Sequence, residues 1–70
     1  MYLENLGARI RELRKQMNIS QEDFALSISM DRTYFSALES GKHNVTILNL
    51  KKIADGLHLT VSDLLKGVNE

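Results

Sequence analysis

The chain contains no cysteine and no proline, and its 70 residues carry no excess of either charge. Each absence excludes something. Without cysteine there is no disulfide framework, no thiolate nucleophile and no zinc–thiolate site. No apolar run approaches the ~20 residues of a bilayer span and no secretory leader pattern is visible, so no membrane partner is expected and the cytoplasm is the default compartment. Strict two-residue alternation is nowhere sustained, which removes support for strands and leaves an all-α class. Nine Lys and Arg balance nine Asp and Glu, so the global basic footprint common among nucleic-acid binders is missing. The length suits one domain, residues 1–70, whose core is marginal unless a metal, a disulfide or a partner chain supplements it.

What is present is a repeated way of starting a helix. Ser20, Asp31, Thr46 and Thr60 are N-cap residues, and each is flanked by apolar residues at N′ and N4. These pairs are Ile19 with Phe24, Met30 with Phe35, Val45 with Leu50, and Leu59 with Leu64, which makes four hydrophobic staples. Asp23 and Asp63 stand three residues after Ser20 and Thr60 and complete capping boxes. Asn18, Gly41, Gly56 and Gly67 are the stop signals. Together they predict five helices, at about 4–17, 21–28, 32–40, 47–55 and 61–66.

In the first helix Leu3, Leu6, Ile10, Leu13 and Met17 form an apolar stripe, and Arg9, Arg11, Glu12, Lys15 and Gln16 form the solvated face. Gly7 costs about 1 kcal/mol against alanine there, which leaves room for a neighbouring helix to approach. Ile47, Leu50, Ile53, Ala54 and Leu57 supply the buried side of the fourth helix. Leu57, Leu59, Val61, Leu64, Leu65 and Val68 crowd the last quarter of the chain. They either cover the core or form an apolar patch for a partner, and a second copy of the chain is the natural occupant.

The second and third helices are short, capped about eleven residues apart and joined by a tight turn, as a helix-turn-helix requires. In that motif the second of the pair enters the DNA major groove. Phe35 and Leu38 turn inward, so Arg32, Thr33, Ser36 and Ala37 face outward with Tyr34 at the edge. One arginine among small hydroxyl and methyl groups fits a groove, because small side chains let a helix lie deep and arginine can grip guanine O6 and N7. The loop Lys42-His43-Asn44 offers phosphate donors beside that helix. Double-stranded DNA is the expected partner. His43 and His58 lie in separate loops without a metal-site spacing, and no nucleophile–base–orienter set is visible. No cofactor, metal, small-molecule ligand or catalysis is therefore expected.

Over residues 5–66 the chain resembles the Cro/repressor-type (XRE-like) helix-turn-helix family. The resemblance is carried by Ile10-Arg11-Glu12-Leu13-Arg14, Ser20-Gln21-Glu22-Asp23-Phe24-Ala25, Glu39-Ser40-Gly41-Lys42, Leu50-Lys51-Lys52-Ile53-Ala54 and Val61-Ser62-Asp63-Leu64-Leu65. Within the family, Asp31-Arg32-Thr33-Tyr34-Phe35-Ser36 and Gly41-Lys42-His43-Asn44-Val45-Thr46 are most similar to the controller proteins of restriction–modification systems. Phe35 replaces their usual isoleucine. His43 replaces their usual loop arginine, and with it the planar fork of a guanidinium.

The resemblance implies a compact five-helix, lambda-repressor-like domain acting as a homodimeric regulator on a near-palindromic operator. It assigns Arg32 and Thr33 to base edges and Ser36 and Ala37 to the groove wall. Gln21, Tyr34, Lys42, His43 and Asn44 fall to the phosphate backbone, and Arg14 with Glu39 to a structural ion pair. A phage-type repressor, an antitoxin-like autoregulator and a protein–protein adaptor on the same fold stay open as alternatives.

Overall fold

The computed structural model describes residues 2–68. It has five helices: α1 Tyr2–Gln16, α2 Gln21–Ser27, α3 Arg32–Glu39, α4 Ile47–Gly56 and α5 Val61–Leu64. No strand occurs among the described residues. The core runs through the middle of all five, from Leu6 and Ile10 through Phe24, Ala25, Phe35 and Leu38 to Leu50, Ile53, Ala54, Leu57 and Leu64. Phe24 and Phe35 meet with ring centroids 5.2 Å apart and fix the angle between α2 and α3.

All four expected caps are formed. The side chains of Ser20, Asp31, Thr46 and Thr60 accept from the backbone N–H three residues on, at 3.0–3.2 Å. The four N4 partners Phe24, Phe35, Leu50 and Leu64 are buried, and the N′ partners Ile19, Met30, Val45 and Leu59 pack against the core.

The helix ends are as regular as the starts. Asn18, Ser29, Gly41, His58 and Gly67 take left-handed φ between 54° and 80° just beyond α1 to α5. At three of them the following N–H reaches back five residues: Met30 to Ala25 O, Lys42 to Ala37 O and Leu59 to Ala54 O, all 2.9–3.0 Å, the Schellman closure. Met30 and Leu59 thus close one helix and staple the next. The connections after α2 and α4 are four residues long.

Several expectations are corrected. Gly56 is not the stop of α4; it is the last helical residue, and His58 makes the left-handed turn. A glycine is needed at 56 for space, since a Cβ there would lie 2.5 Å from Ile28 Cγ2 and 3.0 Å from Phe24 Cζ. α5 is shorter than 61–66, because the Lys66 N–H bonds Asp63 O only three residues back and tightens the last turn. Arg9 does not lie on a solvated face. It donates from Nε to Leu64 O at 3.2 Å and from Nη2 to Asp63 O at 3.1 Å, tying α1 to the carbonyl end of the short α5.

Met17 is exposed rather than part of the stripe. Ile47, at the first turn of α4, is 70% exposed because the helix begins beyond the edge of the core. Of the proposed partner patch, Leu57 and Leu64 are 7% and 0% exposed. They complete the core of this chain and offer no surface to a second copy. Leu59, Val61, Leu65 and Val68 are half-buried against the same core.

Candidate nucleic-acid interface

Helix α3 is pinned on three sides, which decides what it shows to solvent. Phe35 and Leu38 are buried on one side. At its end Glu39 is buried with Arg14 from α1. Arg14 Nε donates to Glu39 Oε2 at 2.7 Å and Nη2 to Oε1 at 3.1 Å, the fork geometry of a strong pair. Arg14 Nη1 donates to Ile19 O at 2.7 Å, so one guanidinium joins α1, the turn after it and α3. The third anchor is Tyr34, whose hydroxyl accepts from Asn49 Nδ2 of α4 at 3.1 Å and reaches Asn44 O at 3.5 Å. Its ring lies against His43, with centroids 6.1 Å apart.

The outward remainder is a shallow cleft of about 380 Å³ lined by Arg32, Thr33, Ser36, Ala37, Ser40 and Lys42. All four residues expected to read bases are there, with one cation at each end. Neither the Arg32 nor the Lys42 side chain makes a hydrogen bond or ion pair with another described residue. Their charges face solvent unspent. The neutral composition is resolved locally: Glu39 is neutralised by Arg14 inside the fold, and the Asp31 carboxylate accepts from the Tyr34 N–H at 3.0 Å. Of the four acidic side chains between Ser20 and Lys42, Glu39 is thus withdrawn by pairing and burial, and exposed Asp31 is engaged as the N-cap of α3.

The phosphate set is less tightly gathered. Lys42 belongs to the cleft, and exposed His43 stands beside it against Tyr34. Asn44 is exposed too, but it lines a separate apolar cleft with Tyr2, Leu3, Leu6, Val45, Ile47 and Leu50. Gln21 is turned inward, donating from Nε2 to Glu39 Oε1 at 2.8 Å. The Tyr34 hydroxyl is committed to α4 and the loop, so its first role is to hold α3 and residues 42–46 together.

Sequence reading passed over two members of this region. Ser40 lies one helical turn beyond Ser36 and lines the same cleft; its i+4 spacing was the available signal. Asn49, the partner of Tyr34, carried none. Among the described residues no group of three His, Cys, Asp or Glu could hold a metal ion, and no helix is long and apolar enough to cross a membrane.

Comparison with known proteins places this geometry in context. The model of a helix-turn-helix domain family matches residues 7–70. The control protein C.MunI of a Mycoplasma species is 45% identical over 65 residues, 91% of this chain and 88% of that protein. The crystal structure of the restriction–modification controller protein C.AhdI of Aeromonas hydrophila superposes with a TM-score of 0.85 at 37% identity, covering 89% of this chain and 94% of the other. A third similar structure is the controller C.Esp1396I, a tetramer in complex with its natural 35 base-pair operator. Its TM-score is 0.87 at 29% identity, over 97% of this chain and 90% of that one.

Proposed function

This chain belongs to the helix-turn-helix domain family, among the control proteins of restriction–modification systems, and from that membership we propose that it is a sequence-specific DNA-binding regulator of transcription working as a homodimer in the cytoplasm. The observation that carries the reading is the α3 cleft: small side chains between two unpaired cations, on a helix braced from three directions. Arg32 and Thr33 read base edges, Ser36 and Ala37 permit close approach, and Lys42 with His43 and Asn44 holds the backbone. Gln21 contacts phosphate through whatever donor Glu39 leaves it. The family regulates transcription and is not an enzyme family.

Selection of bound sequences from random duplex DNA tests this directly. A near-palindrome with half-site centres one helical turn apart, about 34–36 Å, is expected from a two-fold dimer. Enrichment of no sequence would instead favour an adaptor. Arg32→Ala should cost about 1–3 kcal/mol in operator affinity and relax preference at one base position. A loss equal on all sequences would make Arg32 a phosphate contact.

The dimer needs a surface, and the two most exposed apolar neighbours are Ile47 and Leu48 at 70% and 75%. They sit at the start of α4 beside the apolar cleft of Tyr2, Leu3 and Val45. We place the two-fold contact there rather than on Leu57 and Leu64. Burying one leucine is worth about 1.5–3 kcal/mol, so Leu48→Glu should weaken the dimer about tenfold or more in sedimentation equilibrium. Leu65→Glu should weaken it less. The opposite order would return the interface to the half-buried edge of α5.

A further inference from the structure

A second cleft lies on the other side of the Ser36–Ser40 ridge. Its volume is about 370 Å³, and it is lined by Arg11, Arg14, Gln21, Ser36, Glu39 and Ser40. Ser36 and Ser40 also line the recognition cleft, so the two hollows share one wall of α3. The charges in the second hollow do not cancel. Glu39 is matched by Arg14 at 2.7 Å, which leaves the Arg11 guanidinium uncompensated. The Arg11 side chain is exposed and makes no hydrogen bond or ion pair with another described residue. Gln21 spends one amide hydrogen on Glu39; its second hydrogen and its carbonyl are not used by any described bond. Ser40 donates its hydroxyl to Ala37 O at 2.9 Å, and its oxygen lone pairs point to no described donor.

We propose that this hollow seats one backbone phosphate of the operator and that Arg11 supplies its charge, making Arg11 a DNA-contacting residue on α1. The occupant is an anion because the only unbalanced charge lining the hollow is positive. It is part of a strand rather than a free ion because the hollow adjoins the face that meets the bases, across a single helix ridge. Arg14 contributes no net charge here; its pairing with Glu39 makes the floor neutral. Gln21, held from behind by Glu39, presents its remaining N–H toward the same phosphate. The phosphate line therefore runs from Lys42 and His43 on one side of α3 to Arg11 and Gln21 on the other, with the base-reading residues between.

The inference rests on the DNA-binding reading, and the test separates the two. Operator affinity is measured for the wild type, Arg11→Gln and Arg11→Lys over a range of salt concentrations, with helicity monitored to confirm folding. Arg11→Gln should lose affinity about three- to tenfold on specific and unrelated duplexes alike. Its log–log salt slope should fall by about 0.9, the value for one neutralised phosphate. Arg11→Lys should keep the slope. A series of operators each carrying one neutral methylphosphonate should contain one position per half-site that weakens the wild type markedly more than Arg11→Gln. If the wild type binds and Arg11→Gln matches it in affinity and slope, Arg11 is only a solvated side chain and this proposal falls. The DNA-binding reading survives that result. If the wild type binds no duplex at all, that reading itself fails.

Discussion

Arg14→Ala should destabilise the fold severely, although arginine is a residue that surfaces usually carry. The Glu39 side chain is 3% exposed and receives two of its three hydrogen bonds from Arg14. Removing the arginine strands a carboxylate in the interior, which costs about 3–5 kcal/mol. A domain of this length has a total stability of roughly 3.5–10 kcal/mol at 0.05–0.15 kcal/mol per residue. The loss therefore removes from about a third to all of that stability. Urea titration followed by far-ultraviolet circular dichroism reads the effect as a collapse of the midpoint. Replacing both partners with apolar residues, Arg14→Met with Glu39→Leu, should recover much of the loss, because an unpaired charge rather than a missing bond is what destabilises. An Arg14→Ala midpoint equal to the wild type's would mean that Glu39 finds water or another donor, and that the angle of α3 does not depend on this pair.

Gly7→Ala should destabilise by about 3 kcal/mol, the upper end for an overfilled site. Helix propensity alone forecasts the opposite, a gain near 1 kcal/mol. The sign is set by α3: a Cβ on residue 7 would lie 2.4 Å from Glu39 O and 2.5 Å from Leu38 O. Both are main-chain atoms at the end of the recognition helix, and neither can rotate away. The neighbouring exposed position offers an internal control, since Ala8→Gly should cost about 1 kcal/mol by propensity alone. Calorimetric melting of both variants decides it. A stabilised Gly7→Ala would show that α1 and α3 can separate without loss.

These two residues also show what a sequence can reveal. The helix starts were legible because a cap and its staple lie within six residues, and all four formed as their spacing implied. The inward turn of Phe24, Phe35 and Leu38 followed from the same local periodicity. So did the outward group of Arg32, Thr33, Ser36 and Ala37, which the structure gathers into one cleft. The Arg14–Glu39 pair is separated by 25 positions and came only through family resemblance.

What failed depended on neighbours distant in the chain. Gly56 looked like a stop because glycine commonly is one, whereas its actual constraint comes from Phe24 and Ile28 of α2. Ile47 fitted the apolar stripe of α4, but periodicity cannot say where the core ends. Leu57 and Leu64 fitted a partner patch as well as a core, because a crowded apolar run does not say how much one short terminal helix can cover; both are buried. Asn49 had no signature at all, being an ordinary helix amide.

The bond from Asn49 to Tyr34 bears on the thermodynamics of docking. Residues 42–46 carry no regular structure, yet the Tyr34 ring rests on His43, its hydroxyl takes a hydrogen from α4, and Val45 packs on the core. A loop with that many attachments has surrendered most of its conformational entropy during folding. Meeting a duplex then asks for little further ordering from the protein, and the heat-capacity change of association should reflect the surface buried between rigid partners rather than a coupled folding step.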